Sequence, residues 1–496
     1  MIKVKLHKNG TVNEITAEKG DNLLKIIQRS DAGFYAPCGG NGTCGKCRVN
    51  IIDEGVVTSC LYNVENDIEV ILPDDREMKV LSSQYDFSKD TELKPGDAVL
   101  LSDTPVGVAI DIGTTTMVYY FMDLKTGGIT DIRSDVNPQV KYGADVISRI
   151  NFSVETEGGV EELKEQLVSN INSVTSRFCK NHNYRSDDIV RLSIVGNTVM
   201  MHTLLGINAL SIAHAPFTPV FTETKRLHAA EHGLNINPEA EVILAPSLSG
   251  YVGGDIIAGL ASVNEDFYNK QFLFVDIGTN GEIVLVTKDK ILACAAAAGP
   301  AFEGANISCG MSAVRGAISS FREGEPKIIG DAEPAGVCGS GLIDIVAYML
   351  DNEILSMDGN IEEDFVVPGV DTENKIKLTQ QDIREVQLAK SAIAAGISRL
   401  LSIAGITVDD LDNILLAGGF GNYIDIRSAV RIGLLPDVEL GKYIQMGNTA
   451  GNGAVLTLKS DDFIPDMEEL KNRIEYIELS TDPDFSMEYA MNMFFN

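Results

Sequence analysis

The sequence predicts a small α+β domain over residues 1–75, a polar linker over 76–104, and an α/β domain over 105–496 made of two related halves, approximately 105–270 and 271–480. Three observations predict this. The N-terminal stretch carries short alternating strands around one helical segment and a cluster of four cysteines. Two strand-turn-strand units further on share a DIGT core, and repetition of that kind marks duplicated half-domains. Apolar residues make up 44% of 496, enough to bury real cores in a chain long enough for about three domains.

Composition excludes some partners. Lys plus Arg number 40 against 71 Asp plus Glu, a net charge of −31, and such a field repels nucleic-acid backbones and anionic lipid heads. The first residues, MIKVKLHKNG, contain no apolar signal region, and no run of about 18 apolar residues occurs. The expectation is a cytoplasmic protein with neither nucleic acid nor membrane as partner. The sequence leaves the oligomeric state open.

From the N-terminus, Ile2–Leu6 and Val12–Thr16 alternate as a hairpin around Lys8-Asn9-Gly10, Asn22–Arg29 has helical spacing, and Val49–Ile52 and Ile68–Leu72 supply two more strands. That order describes a β-grasp domain, small enough to gain from a cofactor acting as a staple. Cys38, Cys44, Cys47 and Cys60 lie in it with a C-x5-C-x2-C-x12-C spacing on a glycine-rich loop. Four thiolates so placed suit an iron–sulfur cluster, and the layout resembles ferredoxin-type [2Fe–2S] sites. The plant spacing has one residue fewer between the first two cysteines; the adrenodoxin-like branch has this one. A four-cysteine zinc site would use two C-x2-C knuckles, and only Cys44-x2-Cys47 is present. Disulfides need an oxidising compartment, which nothing in the sequence suggests. Gly40–Lys46 imitates a dinucleotide fingerprint and a phosphate loop, but Cys47 stands where the latter needs Ser or Thr, and the strand-like RVNII follows where both need a helix.

The linker from Pro73 to Thr104 is polar and lacks periodicity, with at most a short strand near Ala98–Leu101. Val108–Tyr119 then reads VAIDIGTTTMVY and Phe272–Leu285 reads FLFVDIGTNGEIVL. Each is a buried strand, a tight turn and a second strand. Asp111 is followed by Gly113, Thr114, Thr115 and Thr116; Asp276 is followed by Gly278, Thr279, Asn280 and Gly281. Backbone N–H groups freed by such glycines can cradle phosphate oxygens, the hydroxyl and amide side chains add donors, and an aspartate can hold Mg2+ or its water. An ordinary hairpin with a satisfied Asp is the plain reading of one copy alone. Asn413–Tyr423, NILLAGGFGNY, ends an apolar strand in Gly418, Gly419, Phe420 and Gly421, which lets backbone approach a flat ligand.

Other turns border the same region. Leu192–Met201 is a strand entering a helix at Gly196 and Asn197, and Ala245–Asp255 is a loop with Asp255 as the expected helix cap. Cys309 and Cys338 sit beside small residues and read as packed thiols rather than ligands. Glu303 reads equally as a nucleotide or water contact and as a solvated carboxylate. Gln380–Ala404 is a long amphipathic helix, and Phe485–Phe495 a terminal packing helix, with partner docking as its alternative.

Taken together, DIGTTT, DIGTNG and LAGGFG resemble the phosphate-one, phosphate-two and adenosine motifs of the superfamily of acetate and sugar kinases, heat-shock chaperones and actin. The resemblance covers roughly Val106–Leu479 and implies an actin-like ATPase domain of two ribonuclease H-like halves. Joined to the cysteine cluster, it is similar to the reductive activators of corrinoid proteins. That resemblance implies ATP with Mg2+, a [2Fe–2S] cluster on Cys38, Cys44, Cys47 and Cys60, metal and water at Asp111 and Asp276, and adenosine at Gly418–Gly421. It also implies a cobalt(II) corrinoid protein as electron acceptor and an upstream low-potential reductant. Better-known members carry a middle domain between linker and kinase-like part, for which this chain offers only Pro73–Thr104. The alternatives are an ATP-dependent activator of another low-potential enzyme, with Cys309 and Cys338 as ligands, a small-molecule kinase with a ferredoxin module, and a redox-sensing binding protein.

Overall fold

The computed structural model describes residues 2–8, 11–30, 47–52, 54–72, 89–330, 332–370 and 375–496. The N-terminal domain comprises β1 (Ile2–Lys8), β2 (Thr11–Ala17), α1 (Leu23–Arg29), β3 (Arg48–Ile51), β4 (Gly55–Thr58) and β5 (Ile68–Ile71). Alternation in β1 turns Ile2, Val4 and Leu6 inward, as a period of two requires. Asn22 caps α1, and its buried face, Leu23, Ile26 and Ile27, closes the core. The sheet order is β2-β1-β5-β3-β4, with β1 and β5 parallel, and it includes one strand, β4, that the sequence did not signal.

Residues 89–104 are docked rather than free. The expected strand near Ala98–Leu101 is instead a 3₁₀ turn, Gly96–Leu101. Nearby, the Lys94 N–H donates to Lys459 O at 2.6 Å, the buried Arg191 guanidinium donates to Pro95 O at 2.7 Å, and Lys89 pairs with Asp466 at 2.7 Å. Polar composition misled here because these contacts are made with residues 96 to 377 positions away.

The large domain begins with β6 (Val106–Ile112), β7 (Thr116–Asp123), β8 (Ile129–Val136), α2 (Val146–Glu155), α3 (Gly159–His182), β9 (Ile189–Gly196), α4 (Thr198–Leu204), α5 (Leu210–Ala213), β10 (Lys225–His228), β11 (Glu241–Leu244) and α6 (Gly254–Ala261). It continues with β12 (Phe272–Ile277), β13 (Gly281–Val286), β14 (Ile291–Ala296), β15 (Ala317–Arg322), β16 (Glu325–Ile328), β17 (Gly336–Val337), α7 (Gly339–Asp351), β18 (Phe365–Val366), β19 (Lys377–Leu378) and α8 (Gln380–Ala404). The last elements are β20 (Asn413–Ala417), α9 (Gly418–Gly421), α10 (Ile426–Arg431), β21 (Tyr443–Gly447), α11 (Thr449–Lys459), α12 (Phe463–Arg473), β22 (Ile474–Tyr476) and α13 (Phe485–Met491).

Two sheets carry the duplication. One runs β10-β11-β9-β6-β7-β8 and the other β21-β20-β12-β13-β14-β22. In each, the DIGT strand pairs antiparallel with the next strand and parallel with a later one. β9 is buried along its whole length, as expected of a parallel strand covered on both faces. Helices α6 and α11 fill the space between the sheets, α3 covers the outer face of the first, and α7 and α8 that of the second. Although α8 is long and apolar enough to cross a membrane by length and composition, 67% of its most apolar window is buried here. α13 packs on α8, as expected of the terminal segment, and Phe495 is buried beyond it.

Candidate functional site

Each DIGT turn is closed by a hydrogen bond from its glycine N–H, three residues forward in the first turn and two in the second. Gly113 N–H donates to Thr116 O, and Gly278 N–H to Asn280 O, both at 2.9 Å. A Cβ on Gly113 would lie 2.8 Å from Thr116 O, so only glycine permits that closure. The first turn is braced from behind. Asn137, fully buried, donates from Nδ2 to Gly113 O and from its N–H to Thr115 O, each at 2.8 Å. The buried Arg149 guanidinium on α2 donates to Gly143 O at 3.0 Å and also to Thr114 O. Asn197, which caps α4, donates from Nδ2 to Thr114 Oγ1 at 3.1 Å.

The two turns face one cleft of about 3240 Å³. Asp111, Gly113, Thr114, Thr115 and Thr116 line it from the first sheet, and Asp276, Gly278, Thr279 and Asn280 from the second. Gly281 does not line it; a Cβ there would lie 2.6 Å from Ile393 Cγ1 of α8, so this glycine serves packing. Gly418, Gly419 and Phe420 line the cleft as a one-turn helix, while Gly421 is turned into the protein. Gln445 Nε2 donates to Gly421 O at 3.0 Å and ties the turn to β21. Phe420 stacks on Phe302 with ring centres 5.6 Å apart. Gly418 has φ of +76°, and a Cβ there would fall 2.2 Å from Asp276 Oδ1, so the glycine turn and the aspartate are in contact.

The floor of the cleft is acidic. Burial pushes Asp111 up to about 7, Asp255 adding to the rise and Asn448 Nδ2, which donates to its Oδ2 at 2.8 Å, opposing it. Asp276 is likewise pushed up to about 7 by burial and then by Asp255 and Asp111. Burial lifts Asp255 to about 6, and raises Glu282 through burial and its proximity to Asp255 and Asp276. Carboxylates that raise one another across a cleft are relieved by a divalent cation. Among the described residues no three His, Cys, Asp or Glu side chains converge tightly enough to form a metal site by themselves. Mg2+ fits here only with phosphate oxygens and water completing its shell.

Glu303 is half-buried between the two turns with both carboxylate oxygens engaged, which removes the reading of a freely solvated carboxylate. Thr279 Oγ1 donates to its Oε1 at 2.6 Å and Thr115 Oγ1 to its Oε2 at 3.2 Å. Asp255 lies in the first turn of α6 rather than capping it; Gly253 holds the cap position, and Asp255 Oδ1 accepts from Ile256 N–H at 2.9 Å. Cys338 is buried, its thiol directed at Ile318 O, and Cys309 lines the cleft. Asn137, Arg149, Glu282 and Asn448 belong to no motif, and no local signal in the sequence marks them.

Of the four clustered cysteines, Cys38 and Cys44 lie outside the described residues. Cys47 and Cys60 are buried together against Leu24. Cys60 N–H donates to Cys47 Sγ at 3.3 Å, while Ser59 donates to Cys47 O from both N–H and Oγ at 2.8 Å. Sulfur receiving a backbone N–H in a buried pair fits the thiolate ligands of an iron–sulfur cluster.

Fold and cleft define a protein of two duplicated half-domains whose DIGT turns line one cleft. Residues 270–496 match the family described as the C-terminal domain of RACo, the ASKHA domain, and residues 106–266 match the RACo middle region. The corrinoid activation enzyme RamQ of Eubacterium limosum is 31% identical over 92% of this chain and 93% of its own. The [Co(II) methylated amine-specific corrinoid protein] reductase of Methanosarcina barkeri is 24% identical over 78% of this chain and 76% of its own. A solved structure, a reductive activator for corrinoid, iron–sulfur protein, superposes over 100% of this chain and 98% of that one with a TM-score of 0.72 and 28% identity. The chain belongs to the family of reductive activators of corrinoid proteins. The expectation that it lacks a middle region is corrected: that region is matched by the first half of the large domain.

Proposed function

We propose that this protein uses ATP to activate a corrinoid protein reductively, delivering one electron that converts cobalt(II) to cobalt(I) and drawing it from an upstream low-potential reductant. The observation that carries this reading is the match along nearly the whole chain to proteins named as corrinoid activators and reductases. A [2Fe–2S] cluster held by Cys38, Cys44, Cys47 and Cys60 would supply one-electron carriage. The chain's own residues supply the rest. The two DIGT turns offer N–H and hydroxyl donors to phosphate oxygens, Asp111 and Asp276 face the Mg2+ that accompanies them, and the Gly418–Phe420 turn offers a flat edge for adenosine. Because these groups come from both sheets, a nucleotide that touches them all favours one relation of the halves.

The test is anaerobic visible spectroscopy of a cobalt(II) corrinoid protein mixed with dithionite-reduced protein, with and without Mg-ATP. Cobalt(I) forming only with ATP, and failing to form in Cys47→Ala and Asp276→Ala variants, is the expected result. Cobalt(I) formation that ignores ATP would remove the nucleotide from the reaction.

A further inference from the structure

The phosphate turns are already occupied by a side chain. Glu303 follows β14, on a short 3₁₀ turn, Pro300–Glu303, of the second half. Its two carboxylate oxygens accept from the hydroxyls of Thr279, in the second DIGT turn, and Thr115, in the first. Those two hydroxyls line the cleft, Thr279 at the place Thr114 takes in the first turn and Thr115 at the place Asn280 takes in the second, so one comes from each turn. A carboxylate with one oxygen on each turn has the charge and acceptor pattern of a phosphoryl group bridging the same donors. Burial raises the Glu303 carboxyl above its usual range, and the Thr279 and Thr115 hydroxyls and the fully buried Arg149, which braces Thr114 O, act against that rise in favour of the carboxylate.

We propose that Glu303 is a gating residue: a built-in anion that holds the two phosphate turns together in the nucleotide-free protein and must give up Thr115 and Thr279 when the terminal phosphate of ATP enters. The proposal rests on ATP being the ligand of this cleft. Its consequence is that ATP and ADP are told apart by more than contact area. A third phosphate that reaches the bridging position competes with Glu303, whereas a diphosphate that stops short leaves the bridge in place. Nucleotide occupancy is thereby tied to whether the halves are joined by protein or by ligand, with no need for the carboxylate to touch the reacting atoms.

The experiment is calorimetric titration of the whole protein with Mg-ADP and with the magnesium complex of a non-hydrolysable ATP analogue, for wild type, Glu303→Gln and Glu303→Asp. Loss of the competing charge in Glu303→Gln is expected to tighten the triphosphate about tenfold, equivalent to ~1.4 kcal/mol, and to change ADP by much less. Glu303→Asp, one methylene too short to span both turns, is expected to fall between. A thermal melt without nucleotide supplies the second readout: Glu303→Gln should melt below wild type when empty, and the difference should close when the analogue is bound. Unchanged or weaker triphosphate binding in Glu303→Gln would overturn the proposal, as would equal tightening of ADP and triphosphate. Failure of wild type to bind either nucleotide would overturn the ATP reading itself, and the gate with it.

Discussion

Gly418 and Gly419 are adjacent, and the structure separates them sharply. Gly418 has φ of +76°, and an added Cβ would lie 2.2 Å from Asp276 Oδ1 and 3.0 Å from its Cγ, whereas Gly419 has nothing within 4 Å. Asp276 has no room to retreat through its backbone. It pairs with Glu282 on one side and with Ala417 on the other, in the middle of the second sheet. In Gly418→Ala, left-handed backbone costs roughly 1–2 kcal/mol and the overlap about 1–3 kcal/mol more, giving roughly 2–5 kcal/mol in all. In Gly419→Ala the same methyl enters open space on a one-turn helix, and the change is near zero or slightly stabilising. Thermal melts of the two variants beside wild type, followed by ATP hydrolysis, are the assay. The Gly418 variant should melt several degrees lower and lose about a hundredfold in hydrolysis, because the aspartate must rotate away by more than the ångström or so that such sites tolerate. Equal melting and equal hydrolysis in the two variants would refute the claim that the glycine turn is fitted to Asp276.

Three other outcomes follow from the same floor of the cleft. Asp111 and Asp276 sit near 7 and Asp255 near 6 in the folded chain, against about 3.9 unfolded. The folded state therefore holds extra protons between those values, and these groups remove stability as pH rises from about 4 to about 7. Asp276→Asn should gain on wild type in nucleotide-free melts as pH is raised across that window; a constant difference would contradict the shift. Asn448→Ala removes both the N-cap of α11, where Asn448 Oδ1 accepts from Gly451 N–H at 2.8 Å, and the bond to Asp111. It should cost about 1 kcal/mol and move the acidic limb of the hydrolysis pH profile upward, since that bond favours ionised Asp111. Arg149→Met keeps the stem but leaves the carbonyls of Gly143 and Thr114 without their donor. A cost of about 2–4 kcal/mol should come with weaker ATP binding and little change for adenosine, which titration of both ligands will separate.

What the sequence revealed was whatever repeats or is punctuated by glycine. The DIGT pair identified the duplication because its two copies are local: an aspartate at a strand end and a turn that needs Gly113 or Gly278 are both visible within ten residues. The first two N-terminal strands were visible for the same reason, through alternation in Ile2–Leu6 and Val12–Thr16. The groups behind the turns were not. Asn137, Arg149 and Asn448 act through carbonyls and carboxylates brought to them by sheet pairing and by α11 crossing between the halves, and a lone Asn or Arg carries no periodicity. Gly281 and Gly421 show the opposite error. Their place in a motif suggested phosphate and adenosine, but their neighbours are Ile393 and Leu416, and small size for packing looks the same in sequence as freedom for a ligand. Residues 89–104 read as linker because their partners, among them Asp461 and Asp466, lie at the far end of the chain.

The acids on the cleft floor explain how such a site can do work on a partner. Asp111 and Asp255 come from the first half, Asp276, Glu282 and Glu303 from the second; burial keeps all five above their usual range, and repulsion from neighbouring carboxylates adds to it at Asp111, Asp276 and Glu282. A ligand shifts a conformational equilibrium only by its difference in affinity for the two states. On the proposed function, Mg2+ with a triphosphate would have such a difference, because the carboxylates that would face it are split between the halves. Each tenfold of that preference amounts to about 1.4 kcal/mol, which for a single electron corresponds to about 59 mV. A preference of a hundred- to a thousandfold, if the joined state alone docks the acceptor, would thus offset roughly 120–180 mV of uphill transfer. That scale is set by how many of the four carboxylates other than Glu303 the cation must see at once, so neutralising one from each half, Asp255→Asn with Glu282→Gln, should lower ATP affinity and ATP-dependent cobalt(I) formation together. Electron delivery left intact by that pair, with ATP affinity lost, would mean that the two processes are not joined through this cleft.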